Sequence, residues 1–160
     1  MIDIERWPPT RWDQIIGNEE LKEYFLDMIW CVRQEGHRSG FNLLATGPSR
    51  SGKTSVISFG IKCLWCLDFD LETMNPCGRC DHCRTNVHVH GTDGWERELM
   101  YQNDDGSQKS TRFNYYPIDC PNVKEEELDK VLHNVSVSDG AFNVVYLDEV
   151  HRLTRRYFDE

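Results

Sequence analysis

The chain has 160 residues, of which 39% are apolar, 11% aromatic and 28% charged, the composition of a soluble globular domain with room for one substantial core. No run approaches the ~18 uninterrupted apolar residues of a membrane span, and the opening Met1-Ile-Asp-Ile-Glu-Arg-Trp-Pro-Pro lacks the basic-then-apolar layout of a secretory signal. With 18 Lys+Arg against 27 Asp+Glu the formal net charge is −9, which argues against coating duplex DNA by bulk electrostatics, because counterion release needs clustered cations; a local basic patch is still compatible with it. Five of the 7 cysteines lie between residues 63 and 83. Their odd number and the missing export signal favour reduced thiols and metal over disulfides, and a cytoplasmic address.

Three regions separate by pattern. In residues 1–37, Arg6-Trp-Pro-Pro-Thr-Arg-Trp-Asp is predicted to be extended, since Pro8 and Pro9 lack amide donors and bias their predecessors away from helix. Trp7 and Trp12 read as packing residues rather than base-stacking ones. A helix is predicted from Asn18, a good cap, with Glu19 and Glu20 complementing the positive end of its dipole. Leu21, Tyr24, Phe25, Met28, Ile29 and Val32 recur at helical spacing, and Arg33 and Gly36 are stop signals.

Phe41-Asn-Leu-Leu-Ala-Thr reads as a short buried strand. A helix over 52–67 follows, carrying Val56, Ile57, Ile61 and Leu64. After the cysteines comes a polar stretch, 84–112, whose tract Gln102-Asn-Asp-Asp-Gly-Ser-Gln-Lys-Ser has the composition of a mobile loop. Further on, Phe113-Asn-Tyr-Tyr-Pro-Ile-Asp is predicted as a strand, 124–134 as a helix burying Leu128, Val131 and Leu132, and Asn143-Val-Val-Tyr-Leu-Asp-Glu as a second buried strand. Asn134-Val-Ser136 matches a glycosylation pattern without a secretory route and reads as a helix end. Strands separated by helices indicate an α/β domain with a parallel sheet.

Gly47, Pro48, Ser49, Arg50, Ser51, Gly52, Lys53 and Thr54 fill every position of the phosphate-loop pattern, between a predicted strand and a predicted helix. Gly47 and Gly52 let the backbone curl so that successive amides face the phosphates, and the helix start adds unpaired amides and a positive dipole end. Lys53 is expected to reach the β- and γ-phosphates, and Thr54 to offer its hydroxyl to Mg²⁺. Downstream, Val144-Val-Tyr-Leu-Asp-Glu sets two carboxylates at the end of an apolar strand, where an α/β sheet opens towards its ligand. Asp148 is expected to orient magnesium through water and Glu149 to polarise the attacking water.

Cys77-Gly-Arg-Cys80-Asp-His-Cys83 has three thiols at two-residue gaps. Such gaps let one turn aim both sulfurs at a single tetrahedral centre about 2.3 Å away. A structural four-thiolate zinc site is expected, with Cys63 or Cys66 as the fourth ligand. The paired set Cys63, Cys66, Cys77 and Cys80 is the other arrangement. His82, His88 and His90 read as solvated, and Cys31 and Cys120 as core residues.

These motifs together resemble the N-terminal part of AAA+ ATPases of the clamp-loader type, the family of the bacterial DNA polymerase III gamma/tau subunit. The residues that carry the resemblance are Trp7-Pro-Pro-Thr-Arg-Trp-Asp-Gln-Ile-Ile-Gly-Asn-Glu, the phosphate loop with Thr54-Ser55, Pro76-Cys-Gly-Arg-Cys-Asp-His-Cys, Ile118-Asp119, and Val145-Tyr-Leu-Asp-Glu-Val-His-Arg-Leu-Thr-Arg. The resemblance implies a P-loop NTPase fold, a parallel sheet with helices on both faces and a helical lid. It places Pro9, Ile15, Ile16 and Gly17 around adenine, sets Ser55 beside the phosphate loop, and selects Cys66, Cys77, Cys80 and Cys83 as the zinc quartet. Lys53, Asp148 and Glu149 match the catalytic positions, and Thr54 and Asp148 the magnesium positions.

Two departures stand out: Pro8 replaces a commonly basic residue, and 84–112 exceeds the corresponding link. The family's sensor strand, arginine finger and lid fall beyond Glu160. The chain therefore reads as a partial AAA+ domain over 1–160, with a zinc module at 66–83 and a polar insertion at 84–112, weak or inactive alone. ATP, Mg²⁺ and Zn²⁺ are the implied cofactors, and other clamp-loader-like subunits in a ring the implied partners, with no membrane. DNA contact would be indirect or through Arg152, Arg155 and Arg156 on a helix after His151. Two alternatives are a DExH-type helicase fragment, from Asp148-Glu-Val-His, and a non-hydrolysing nucleotide- and zinc-binding scaffold.

Overall fold

A computed structural model describes residues 9–35, 41–84, 95–102, 108–138 and 142–153. Trp7, Pro8, Gly36, His88, His90, Arg155 and Arg156 lie outside them. The chain divides into two units, Met1–Val87 with Leu99–Lys109, and His88–Glu98 with Ser110–Glu160.

The first unit is a helical pair with a cysteine module. Helix α1 spans Glu19–Glu35 and α2 spans Lys53–Trp65, with a one-turn α3 at Asp81–Arg84. The helical spacing of α1 brings Phe25, Ile29 and Val32 to full burial, and α1 packs on α2. Gly60 makes that approach possible. A Cβ at this position would stand 2.2 Å from Cδ1 of Phe25, so the Phe25 ring occupies the space of the missing side chain. Trp12, in a 3-10 turn over Trp12–Gln14, closes the end of this core with its ring edge-on to Phe59, centroids 4.7 Å apart at 87°.

Two expectations for this unit are corrected. Phe41-Asn-Leu-Leu-Ala-Thr forms no strand. Leu43 and Leu44 are 40% and 73% exposed, and among the described residues no strand pairs with this segment; without a ladder partner an apolar run has no reason to extend into a sheet. Helix α2 also ends at Trp65 rather than at residue 67, because Cys66 leaves the helix at ψ 130°.

In the second unit, β2 (Gln108–Asp119, of which Ser110 onwards belongs here), α4 (Glu125–Val137) and β3 (Phe142–Asp148) form a strand–helix–strand crossover. The two strands pair in parallel, from Phe113 opposite Phe142 to Asp119 opposite Asp148, which is the parallel α/β pattern expected from the alternation of elements. Phe113, Tyr115 and Ile118 are buried, and Ile118, Cys120 and Leu128 centre a cluster that includes Val131, Val145 and Leu153. Leu132, expected inside, is 52% exposed. Leu128 and Val131, expected inside with it, do face the cluster.

The three strands lie in the order β1-β2-β3, with β1 at Trp95–Gln102. The stretch 84–112 is therefore not one long loop, and Gln102 and Gln108–Ser110 of the expected mobile tract sit in strands. An edge strand is held through its backbone and tolerates polar side chains, which hid β1 from a reading based on composition. Val150–Arg152 forms a 3-10 turn, and the helix expected after His151 falls mostly outside the described residues. Among the described residues no helix is long and apolar enough to cross a membrane.

Candidate metal centre and phosphate loop

The cysteine module is built on the end of α2. Because the helix stops at Trp65, the Cys66 side chain is released from helical geometry and joins Cys77, Cys80 and Cys83, all four sulfurs lying within 4.8 Å of one another. Sγ of Cys77 and Sγ of Cys83 are 3.9 Å apart, against about 3.8 Å between sulfurs of a tetrahedron with ~2.3 Å zinc–sulfur bonds. Gly78, at φ +69°, supplies the left-handed residue the Cys77–Cys80 turn requires. The quartet could hold a zinc ion, and four thiolates would complete its shell, leaving no position for water.

Backbone amides already point at three of these sulfurs. Cys77 N donates to Cys66 Sγ at 3.2 Å, Cys80 N to Cys77 Sγ at 3.4 Å and Cys83 N to Cys80 Sγ at 3.3 Å. Such donors favour the thiolate a metal needs. The Cys66 thiol is pulled below its ordinary range by its hydrogen bond with Cys83 and by the Cys77 amide; Cys83 is pushed up by the same bond and by burial. Cys63, left open by the residue spacing, stands outside the group. It is fully buried within α2, and burial pushes its thiol up.

Two residues read differently in sequence turn out to hold this module. Arg33, read there only as a helix stop, reaches from α1 to the end of α2. Its Nη2 donates to the carbonyls of Cys63 (2.9 Å), Leu64 (3.0 Å) and Cys66 (2.6 Å), and its guanidinium lies 5.1 Å from the Phe69 ring centre. The carbonyls at a helix C-terminus lack intrahelical partners and carry partial negative charge, so a cation is favoured there. Burial lowers the Arg33 pKa, while Cys66, Cys63, Cys80 and Cys83 act to raise it. His82, expected to be solvated, is half-buried, with Nδ1 2.7 Å from the Trp65 carbonyl. Neither role has a local sequence signal.

Within residues 47–54 the backbone curls as its glycines allow, with positive φ at Gly47 (147°), Arg50 (64°) and Gly52 (84°). Lys53 turns back into that curl. Its ammonium donates to the carbonyls of Gly47 (2.9 Å) and Pro48 (2.6 Å) and to the Ser51 hydroxyl (3.1 Å). Ser49 and Thr54 are exposed and Ser55 half-buried. The segment before α1 is fastened to this loop. Asn18, expected as a cap, adopts φ 58° and donates from Nδ2 to the Ser51 carbonyl at 2.8 Å. Of the residues expected around adenine, Pro9 is half-buried, Ile15 buried and Ile16 95% exposed, with Gly17 at φ 80°.

Asp148 and Glu149 belong to the second unit, at the end of β3. Asp148 Oδ1 accepts from the Tyr146 hydroxyl at 3.2 Å and from the Glu149 amide at 3.1 Å. Glu149 holds a left-handed backbone, φ 52° and ψ 42°, a conformation costing a non-glycine residue about 1–2 kcal/mol. Its carboxylate lies 3.3 Å from His151 Nε2.

No protein-family model matches the chain, and neither curated proteins nor solved structures give a match.

Proposed function

We propose that the chain is an ATP-binding and hydrolysing module of a clamp-loader-like AAA+ ATPase acting in DNA replication in the cytoplasm, carrying a structural zinc ion. The observation that supports it best is the curl of residues 47–53 around the Lys53 ammonium, with Asn18 tying the neighbouring 15–18 segment to the same loop. Such a loop holds a cation at the start of α2, where the unpaired amides of a helix N-terminus favour phosphate groups. In this reading Lys53 and Thr54 serve the phosphates and Mg²⁺. Asp148 orients the metal, Glu149 polarises water, and Pro9 with Ile15, Ile16 and Gly17 receives adenine. Other clamp-loader-like subunits complete the ring, and Arg152, with Arg155 and Arg156, offers a small basic patch to DNA.

The test is ATP binding by calorimetry on the full chain with Mg²⁺ and Zn²⁺, followed by turnover with clamp-loader subunits added. Lys53→Ala is expected to abolish binding. Glu149→Gln is expected to keep binding and lose turnover by about 100-fold or more. Binding that is absent, or indifferent to Lys53→Ala, refutes the proposal. Binding without turnover in any assembly leaves a scaffold and removes the ATPase.

A further inference from the structure

The loop from Cys66 to Cys77 does more than carry two thiols. Its tip is a self-bonded turn in which Asp70 N donates to the Asn75 carbonyl at 3.0 Å. Asp70 Oδ1 accepts from Glu72 N at 2.9 Å, and Asn75 Nδ2 donates to the Thr73 carbonyl at 2.7 Å. That last bond fixes the Asn75 amide and leaves its oxygen turned towards Trp12. Trp12 N donates to Asn75 Oδ1 at 3.1 Å, and Trp12 Nε1 donates to the Met74 carbonyl at 2.8 Å. Trp12 in turn begins the 3-10 turn closed by Ile15 N on the Trp12 carbonyl at 3.1 Å. Three residues later Asn18 bonds to Ser51 of the phosphate loop. These contacts, joined by the chain itself at 75–77 and 15–18, thus run from the cysteine quartet to the loop around Lys53.

From these contacts we infer that metal occupancy of the Cys66, Cys77, Cys80 and Cys83 site sets the position of the Trp12–Asn18 segment, with Trp12 and Asn75 as the positioning residues. A metal joins the two ends of the 66–77 loop and so removes the freedom of its tip. Without metal the ends are joined only by hydrogen bonds such as Cys77 N to Cys66 Sγ and by the exposed Arg79–Asp68 ion pair. The Trp12 receptor then loosens, and the segment beside the phosphate loop loosens with it. The inference depends on the proposed function only for what that segment receives.

Amide hydrogen exchange on the full chain tests it, with one equivalent of zinc and after removal of zinc by EDTA, ATP being absent throughout. Zinc is expected to slow exchange at Trp12, Gln14 and Ile15 by about tenfold or more, with α4 amides unchanged. Asn75→Ala is expected to keep zinc affinity within about threefold, read by a chromogenic chelator, and to reduce the zinc effect on these amides to less than about threefold. Trp12→Phe, which keeps an aromatic ring and removes the Nε1 donor, is expected to act in the same direction. Exchange at Trp12–Ile15 that ignores zinc overturns the inference. So does an equal zinc effect on α4, which marks a general staple, and so does a full zinc effect persisting in both variants. A chain that shows the effect but never binds ATP loses the function proposed above and keeps this one.

Discussion

Arg33 allows a quantitative test of how the metal module is held. The Nη2 atom carries two N–H groups shared among three carbonyls, those of Cys63, Leu64 and Cys66. The contact therefore counts as two charge-assisted bonds rather than three, at about 1.5–3 kcal/mol each before desolvation is set against them. Arg33→Met keeps the aliphatic stem and its packing, removes those donors, and leaves the carbonyls at the end of α2 without them. A net loss of about 2–4 kcal/mol in folding stability is expected. The carbonyl of the ligand Cys66 is one of the three, and a cation is removed beside a four-thiolate centre. Zinc affinity should therefore fall by about 10–100-fold, the usual cost of losing a group that orients a ligand. Arg33→Lys should recover part of the charge and little of the geometry, because an ammonium cannot reproduce the planar fork. The assay is zinc competition against a chromogenic chelator, with urea unfolding of the zinc-loaded chain alongside. Zinc affinity of Arg33→Met within about threefold of the wild type refutes the assigned role.

Three further outcomes are expected. Gly60→Ala drives a methyl group into the Phe25 ring and should destabilise the chain by about 1–3 kcal/mol in denaturant unfolding, with Phe25→Leu in the same chain restoring part of it. One zinc per chain should be found by metal analysis and lost on Cys80→Ser, while Cys63→Ser keeps the metal, since Cys63 lies outside the quartet. Burial, with the Tyr146 and Asp148 charges adding to it, raises the Tyr115 pKa above the ordinary tyrosine value. The fold thus favours the neutral phenol, so its contribution is complete below about pH 10 and lost as pH rises through the folded value. Accordingly, the folded wild type and Tyr115→Phe should show the same tyrosinate absorbance just above pH 10, and a wild type with one more tyrosinate there would contradict the burial.

Residue spacing pointed to Cys77, Cys80 and Cys83, because two-residue gaps have a direct geometric meaning, and the resemblance supplied Cys66 as the fourth. Spacing alone left Cys63 and Cys66 open, because the outcome turns on where α2 ends, and a helix end is legible in sequence only to within a residue or two. Phe25, Ile29 and Val32 were legible as a core face from periodicity alone. Leu132 was not, since Val131 and Leu132 are equally apolar and only the packed sheet distinguishes them. Arg33, Trp12 and Asn75 act through carbonyls and amides far along the chain, and no residue pattern encodes a long-range backbone acceptor. The segment 41–46 misled because strand preference describes a side-chain surface, whereas a strand exists only with a neighbour to bond.

Lys53 has a consequence of its own. Its ammonium, bonded to the carbonyls of Gly47 and Pro48, keeps the 47–53 backbone wound. On the function proposed above, a phosphate group would meet a loop already shaped, with the ordering of the backbone completed during folding rather than at the encounter. A neutral side chain in place of Lys53 therefore forfeits the shape of this loop as well as a charge.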